Sequence, residues 1–252
     1  MLAAAGEQEA FAPGRTEARA LVGQVSRGLN VLDLYCGTGS FALNAAKNGA
    51  RSALGVDRNA QALRASRANA VANGLARTAS FVKAHVRPFA ERAVGEGRTW
   101  DLVVVDPPSV PPRSLRESSE WTLERGRNAH ARIAASVVRL ANPSGGMILA
   151  LESGGVFKAV GELTETFASA ASGVGISLTV LGSNGAGTLE SGTLRGGVGG
   201  GNAGTRMSKT SSLGGVDRGA SGEDMGAGGE VVAGEPLWAL YVCSKLPARA
   251  ES

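Results

Sequence analysis

The sequence has few cysteines and histidines and no long apolar run. Its two cysteines, Cys36 and Cys243, are too few for a disulfide framework and lack the spacing of metal ligands. With only two histidines, no structural zinc site and no other metal is expected. No apolar run reaches the length of a membrane span. The start MLAAAGEQEAFAPGR lacks the basic region of a signal or transit peptide. We therefore expect a protein that is not secreted and not in a membrane, located in the cytoplasm or an organelle, although the start could be the edge of a longer protein.

Neither sign of charge dominates the chain. Lys and Arg number 26 against 22 Asp and Glu, which gives a net charge of +4. This mild excess permits a polyanionic partner without requiring one. The 252 residues, 43% of them hydrophobic, suffice for one large α/β domain, or for one domain with additional sequence. The composition does not indicate an oligomeric state.

Glycine is abundant, and nearly half of the 37 glycines fall between residues 183 and 232. This Gly- and Ser-rich segment has too little apolar surface to offset the entropy cost of ordering, so we predict that it is disordered. The chain then divides into an N-terminal extension (1–27), a main domain (28–182), the disordered insertion (183–232), and a last strand with a tail (233–252).

Short apolar runs alternate with amphipathic stretches before Ser183. We predict strands at 31–35, 52–57, 80–84, 101–106, 147–152, 176–181 and 236–243, and helices at 40–49, 59–74, 86–94, 120–140 and 156–170. Asn59 is the candidate N-cap of the helix at 59–74. Such alternation predicts right-handed crossovers and a parallel sheet. The last two strands have no helical pattern between them and could pair as an antiparallel hairpin. The fold class is therefore α/β, with a mostly parallel seven-stranded sheet, an antiparallel last strand and helices on both faces.

A glycine loop follows the first predicted strand, in the run DLYCGTGSF from Asp33 to Phe41. Gly37 and Gly39 permit tight backbone turns, and a helix starts directly after them. Backbone N–H groups at such a helix start face the crevice beyond the strand end, where a nucleotide-type ligand fits. A plain strand-to-helix turn is the alternative, because two glycines alone are a weak signal.

Asp57 ends the second predicted strand, 18 positions after Gly39. An acidic side chain at this place can accept hydrogen bonds from both hydroxyls of a ribose. The alternative is a favourable charge at a helix N-terminus. Its pairing with the glycine loop favours the ribose.

Asp106, Pro107 and Pro108 follow the fourth predicted strand. Two prolines fix the backbone and leave two positions without N–H donors. The result is a rigid wall with a carboxylate at its base, which can hold a flat base next to the glycine loop. An ordinary proline-containing loop is the alternative, because Pro111 and Pro112 follow closely.

The run from Val31 to Leu75 followed by DLVVVDPPS resembles class I S-adenosylmethionine-dependent methyltransferases. In particular it resembles the bacterial-type enzymes that methylate large-subunit ribosomal RNA at cytosine C5 or guanine N7. The resemblance covers about residues 28–182 and the last strand. It implies a Rossmann-like methyltransferase fold, S-adenosyl-L-methionine as cofactor, and RNA, ribosomal RNA above all, as partner.

The resemblance also implies roles for individual residues. Asp33, Gly37 and Gly39 would surround the methionine part of the donor, Asp57 would hold the ribose, and Asp106 would lie near the transferred methyl group. The same resemblance gives the catalytic set as Asp106, Pro107 and Pro108, and adds to the cofactor site Tyr35, Thr38, Phe41 and Arg58.

Three features differ from the usual family pattern. Ala84 and His85 stand where the family has an acidic residue near the adenine amino group. Ser153 stands near the place of the nucleophilic cysteine of cytosine-C5 enzymes. The part before residue 28 is too short for the RNA-binding module that normally precedes the catalytic domain.

Two other functions fit part of the pattern. A nicotinamide (NAD(P))-dependent oxidoreductase would use Gly37, Gly39, Ala42 and Asp57 equally well, but it would not explain the Asp-Pro-Pro turn or a reversed last strand. A non-catalytic RNA-binding protein with a degenerate methyltransferase fold would explain the missing acid and the missing cysteine.

The remaining candidate side chains are ascribed mainly to packing. Cys36 and Cys243 are expected in the core. His130 is expected on a solvated helix face, with an RNA contact as the alternative. Since no cysteine is placed as a nucleophile, we predict that an active enzyme methylates a nitrogen or oxygen atom rather than cytosine C5.

Overall fold

A computed structural model of the protein describes residues 15–108, 120–152, 157, 159–184, 193–194 and 237–246. The helices in this part are α1 (Thr16–Val25), α2 (Ser40–Lys47), α3 (Ala60–Ala72), α4 (Val86–Gly95), α5 (Glu120–Leu140) and α6 (Val160–Ser172). The strands are β1 (Asn30–Leu34), β2 (Ser52–Asp57), β3 (Ala79–Lys83), β4 (Leu102–Val105), β5 (Met147–Glu152), β6 (Ile176–Ser183), β7 (Thr193–Leu194) and β8 (Leu237–Lys245). None of the described helices is both long and apolar enough to cross a membrane.

The strands form one sheet in the order β3-β2-β1-β4-β5-β8-β6-β7. Strands β1 to β5 pair in parallel, whereas β8 lies between β5 and β6 and is antiparallel to both. The predicted mostly parallel sheet with an antiparallel last strand is thereby confirmed. The two-residue strand β7 pairs with β6 and was not predicted.

Helices cover both faces of the sheet, as predicted. Alternate residues of a strand point to opposite faces, so Leu32 and Leu34 of β1 face one core while Val31 faces the other. The first core lies under α4, α5 and α6, and the second under α1, α2 and α3. With both faces buried, the central strands are continuously apolar, as in LVVV of β4.

Helix α1 lies within the predicted N-terminal extension and was not predicted. It packs on α2, with Ala18 and Val22 fully buried between them. Gly23 lies against α2, where a Cβ atom would come within 2.9 Å of Asn48 Nδ2 and would displace that side chain. At its start, Glu17 Oε2 accepts a hydrogen bond from Trp238 Nε1 at 3.4 Å, which links α1 to β8.

The division of the chain into four parts stays a prediction. Of the Gly- and Ser-rich segment, the structure describes the last residue of β6, Asn184 and the two residues of β7. The other residues of 183–232, for which we predict disorder, lie outside the described residues.

Candidate active site

The glycine loop lies between β1 and α2 and has a backbone that few side chains allow. Gly37 and Gly39 have positive φ angles of 52° and 83°, and Tyr35 reaches 62° although it is not a glycine. This left-handed conformation costs a non-glycine residue about 1–2 kcal/mol, and such residues cluster at ligand sites. A Cβ atom at Gly39 would lie 2.6 Å from Phe81 Cε1, so only glycine lets the loop approach β3 this closely.

Asp57 fastens this loop to the neighbouring strand. Its Oδ2 accepts a hydrogen bond from Gly37 N at 2.9 Å, and its Oδ1 accepts one from Asn59 N at 2.7 Å. Asn59 in turn caps α3, as predicted, with its Oδ1 accepting from Gln61 N and Ala62 N. A carboxylate offers about four acceptor sites, so Asp57 keeps capacity for hydroxyl donors while it positions the loop.

Asp33 is a fully buried carboxyl group beneath the loop. Its Oδ2 accepts a hydrogen bond from Ala42 N at 3.0 Å, whereas its buried Oδ1 has no hydrogen-bond partner within the described residues. Burial, helped by the charges of Asp106 and Asp57, raises the pKa of Asp33 to about 8 against the partial opposition of the Ala42 hydrogen bond. Three carboxyl groups at one edge of the sheet favour a cationic ligand.

Asp106 follows β4 and has 9% of its surface exposed. The guanidinium group of Arg15 contacts both of its oxygens, with Nε 2.5 Å from Oδ2 and Nη2 3.1 Å from Oδ1. Such two-point contacts between arginine and carboxylate fix the plane of the carboxylate as well as its charge. Arg15 lies 91 positions before Asp106 and was not predicted, because no local pattern marks a contact of that range.

The structure brings most predicted site residues to the carboxyl edge of the sheet. Thr38 and Tyr35 are half-buried, Arg58 is exposed, Pro107 is half-buried and Pro108 is exposed. Phe41 differs, because its side chain is 3% exposed and belongs to the core under α1 and α2. The residues from Ser109 to 119 lie outside the described part.

Two of the residues that depart from the family pattern, Ala84 and His85, lie in the described part of the chain. Ala84 N donates to Asp57 O at 2.9 Å, and the exposed His85 precedes α4 as its N-cap residue. Ser153 lies outside the described residues. His130 is 5% exposed and meets Phe157 edge-on at 5.1 Å between ring centroids, so the expectation of a solvated face is wrong.

Both cysteines are buried, as predicted. Burial is the main cause that raises the pKa of the Cys36 thiol far above its ordinary value, with Asp33 and Asp57 adding to the shift. Burial alone raises the pKa of Cys243 to about 12. Because the thiolate is the nucleophilic form, neither cysteine is prepared for attack in this structure.

Solved structures share this arrangement of strands and helices. SMU.776, crystallised in complex with SAH, superposes with a TM-score of 0.57 at 20% identity over 68% of this chain and 43% of that one. A SAM-dependent methyltransferase from Agrobacterium tumefaciens superposes with a TM-score of 0.52 at 17% identity over 91% of this chain and 62% of that one. The chain has the class I methyltransferase fold.

Sequence comparison relates the chain to ribosomal RNA methyltransferases over part of its length. The family model described as conserved hypothetical protein 95 matches residues 18–117. Ribosomal RNA large subunit methyltransferase I of Shewanella denitrificans is 30% identical over 61% of this chain and 37% of its own length. Ribosomal RNA large subunit methyltransferase K/L of Shewanella frigidimarina is 29% identical over 52% of this chain and 18% of its own length. The chain therefore spans little more than a third of the first of these relatives and less of the second.

Proposed function

We propose that the protein is an S-adenosylmethionine-dependent methyltransferase that acts on RNA, with ribosomal RNA as the first candidate. The observation that carries this proposal is the arrangement at the carboxyl edge, where Asp57 accepts a hydrogen bond from the glycine loop and a buried Asp33 oxygen has no hydrogen-bond partner within the described residues. Its relatives are named as ribosomal RNA methyltransferases.

The residues of the crevice fit the donor's chemistry. S-adenosylmethionine carries a methyl group on a positively charged sulfur, which makes that methyl group electrophilic. The buried Asp33 carboxyl group has an oxygen open as an acceptor, and a cation bound beside it would favour the charged form of this group. Asp57 would accept from the ribose hydroxyls, and the glycine loop would lie along the methionine part.

Asp106 would act on the acceptor side of the site. Its charge is held by Arg15, and Pro107 and Pro108 form the wall that follows it. A carboxylate in this place can accept a hydrogen bond from an N–H or O–H group and so orient the lone pair toward the methyl group.

An oxidoreductase would share the glycine loop and Asp57, but this function would not explain the ion pair between Arg15 and Asp106. A thermal-shift comparison separates the two activities: S-adenosylhomocysteine should raise the melting temperature and NADH should not. A non-catalytic RNA-binding protein would respond to neither ligand, and total RNA incubated with labelled donor would stay unlabelled.

Replacing Asp57 by Ala is expected to weaken donor binding by about 10- to 100-fold, because charge-assisted hydrogen bonds to ribose contribute about 1.5–3 kcal/mol each. Calorimetry with S-adenosylhomocysteine measures the effect. Asp57→Asn is the companion variant, because its amide oxygen can still accept one of the two hydrogen bonds that Gly37 N and Asn59 N donate to Asp57. If a folded Ala variant binds as tightly as the wild type, Asp57 is not part of the donor site.

The proposal extends to the kind of atom that is methylated. Cytosine C5 is a poor nucleophile and needs a covalent thiolate adduct before methylation. Both cysteines are buried, with pKa values raised by burial. A nitrogen or oxygen atom has its own lone pair and needs only alignment and a hydrogen-bond acceptor, which Asp106 supplies.

Incubation with RNA that contains 5-fluorocytosine is therefore expected to give no covalent protein–RNA complex, while mass spectrometry of ordinary RNA shows methylation at nitrogen or oxygen. The control is a Cys36→Ser, Cys243→Ser double variant, which should keep the wild-type rate if it folds. A trapped complex together with 5-methylcytosine in the product would contradict the prediction.

A further inference from the structure

One stretch of the chain carries positive charge only. Residues 58–90 contain six Lys or Arg residues and no Asp or Glu. The whole chain has 26 basic and 22 acidic residues, so this stretch alone contributes more positive charge than the net +4. All six side chains are exposed, and they are Arg58, Arg64, Arg67, Arg77, Lys83 and Arg87.

The fold gathers three of these six residues at the carboxyl edge. Asp57 and Lys83 are register partners in β2 and β3, so Arg58 follows one strand end while Lys83 forms the other. Arg87 lies in the first turn of α4, directly after β3. Arg77 precedes β3 and so lies at the opposite edge.

Two basic residues of α3 extend this surface along one side of the helix. Arg64 and Arg67 are three positions apart, a spacing that places side chains on the same side of a helix. Arg67 Nη2 donates to Phe81 O at 2.8 Å, which fixes its guanidinium group beside β3. We call the five residues the basic edge: Arg58, Arg64, Arg67, Lys83 and Arg87.

Little of this charge is neutralised within the described part of the chain. There, Arg87 pairs with Glu91 at 2.8 Å, and the other four residues form no ion pair. By contrast, Arg92 of α4 and Arg98 just after α4 both lie within 4.0 Å of Glu96. The basic residues that form no ion pair within the described part of the chain are therefore grouped on α3 and at the ends of β2 and β3.

We propose that the basic edge binds the phosphate backbone of RNA and thereby holds the RNA across the crevice between Asp57 and Asp106. The proposal rests on the proposed function for the identity of the polyanion. β3 is the terminal strand of the sheet, so no further strand stands between this surface and a long ligand. Membranes fit less well, because interfacial binding needs a continuous apolar face beside the charges. The large exposed hydrophobic residues of α3 and β3 are two single valines, Val71 near the end of α3 and Val82 near the end of β3.

A matched pair of triple variants tests the surface. The first variant carries Arg64→Gln, Lys83→Gln and Arg87→Gln, which lie outside the predicted donor contacts. The control carries Arg27→Gln, Lys47→Gln and Arg51→Gln, three exposed residues at the opposite edge of the sheet. Both variants remove three positive charges, and melting curves establish that each is folded.

Binding of a fluorescein-labelled 20-nucleotide single-stranded RNA is measured by fluorescence anisotropy between 50 and 200 mM salt. Loss of three phosphate contacts should weaken binding by about 100-fold near 0.1 M salt and reduce the slope of log K against log salt by about 2. The control should stay within about 3-fold of wild type. Inorganic tripolyphosphate and phosphatidylserine vesicles serve as competitors.

Equal loss in both variants, no loss in either, or no RNA binding by the wild type would overturn the proposal. The proposal would also be overturned if tripolyphosphate or phosphatidylserine vesicles displaced the labelled RNA as effectively as unlabelled RNA does. Donor affinity and methyl transfer are measured separately. RNA binding at the basic edge without methyl transfer would refute the proposed function alone. Methyl transfer to RNA at the same rate in the triple variant as in the wild type would refute this inference alone.

Discussion

An Arg15→Ala variant is expected to lose about 2–3 kcal/mol of stability and to perform the proposed methyl transfer at least about 100-fold more slowly. The Asp106 side chain is 8% exposed and the Arg15 side chain 21% exposed, so both charges lie largely out of water. Removing Arg15 takes a close positive charge away from a largely buried carboxylate, which is destabilising. The Asp106 carboxylate also loses the contact that fixes its plane. Thermal denaturation and the rate of transfer from labelled donor measure the two effects.

Arg27→Ala is the control, because Arg27 is an exposed arginine at the opposite edge of the sheet. Arg15→Lys should recover part of the stability but little of the rate, because an ammonium group cannot make the two-point contact. The double variant Arg15→Ala, Asp106→Asn should be less destabilised than the sum of the two single variants. Additive losses would show that the pair does not act as a unit.

An Asp33→Asn variant is expected to gain stability relative to the wild type as the pH rises from 5 to 9. The pKa of Asp33 is raised from 3.8 to about 8 in the folded protein, so the folded state holds this proton more tightly than the unfolded state. The stabilisation that the folded protein gains from this bound proton is fully present below pH 4 and is lost as the pH rises through 8. Between pH 5 and 9 the loss amounts to about 3–4 kcal/mol, since one pKa unit corresponds to about 1.4 kcal/mol.

Melting curves of both proteins across this pH range measure the difference, which should change by roughly 10 °C between pH 5 and pH 9. The amide oxygen of Asn can still accept the hydrogen bond that Ala42 N donates to Asp33. Asp101→Asn is the control, since Asp101 is only half-buried at the other end of β4. A constant difference between Asp33→Asn and wild type at all pH values would show that Asp33 does not hold the proton.

Apolar runs and caps sufficed to predict most of the fold. The strand SALGVD was predicted at its observed bounds, and Asn59 was predicted as the cap of α3. Both signals are local, because a buried strand is continuously apolar and a cap bonds to the next turn. Helix α1 was missed because Gly23 weakens its helical pattern, and the helix is held by its contact with α2 rather than by its own sequence.

The residues of the candidate site were predicted from their types and positions, but the contacts between them were not. Asp33, Asp57 and Asp106 could be chosen because each follows or ends a strand that meets the same edge of a parallel sheet. The Arg15–Asp106 contact and the bond from Gly37 N to Asp57 join residues that are 91 and 20 positions apart. Such contacts depend on the directions of side chains in the folded chain, and no local sequence pattern predicts those directions.

The place of β8 has a consequence for the order of events during synthesis. β8 follows β6 in the chain but inserts between β5 and β6, so these two strands cannot be joined until residues 237–245 have left the ribosome. Until then the edges of β5 and β6 that later pair with β8 stay open, and open edges are the sites at which nascent chains associate with one another. The long connection between β6 and β8 lengthens this interval, at translation rates of about 5–20 residues per second, by a few seconds. A chaperone that shields the edge of β5 during those seconds should therefore raise the yield of folded protein more than one that acts on the completed chain.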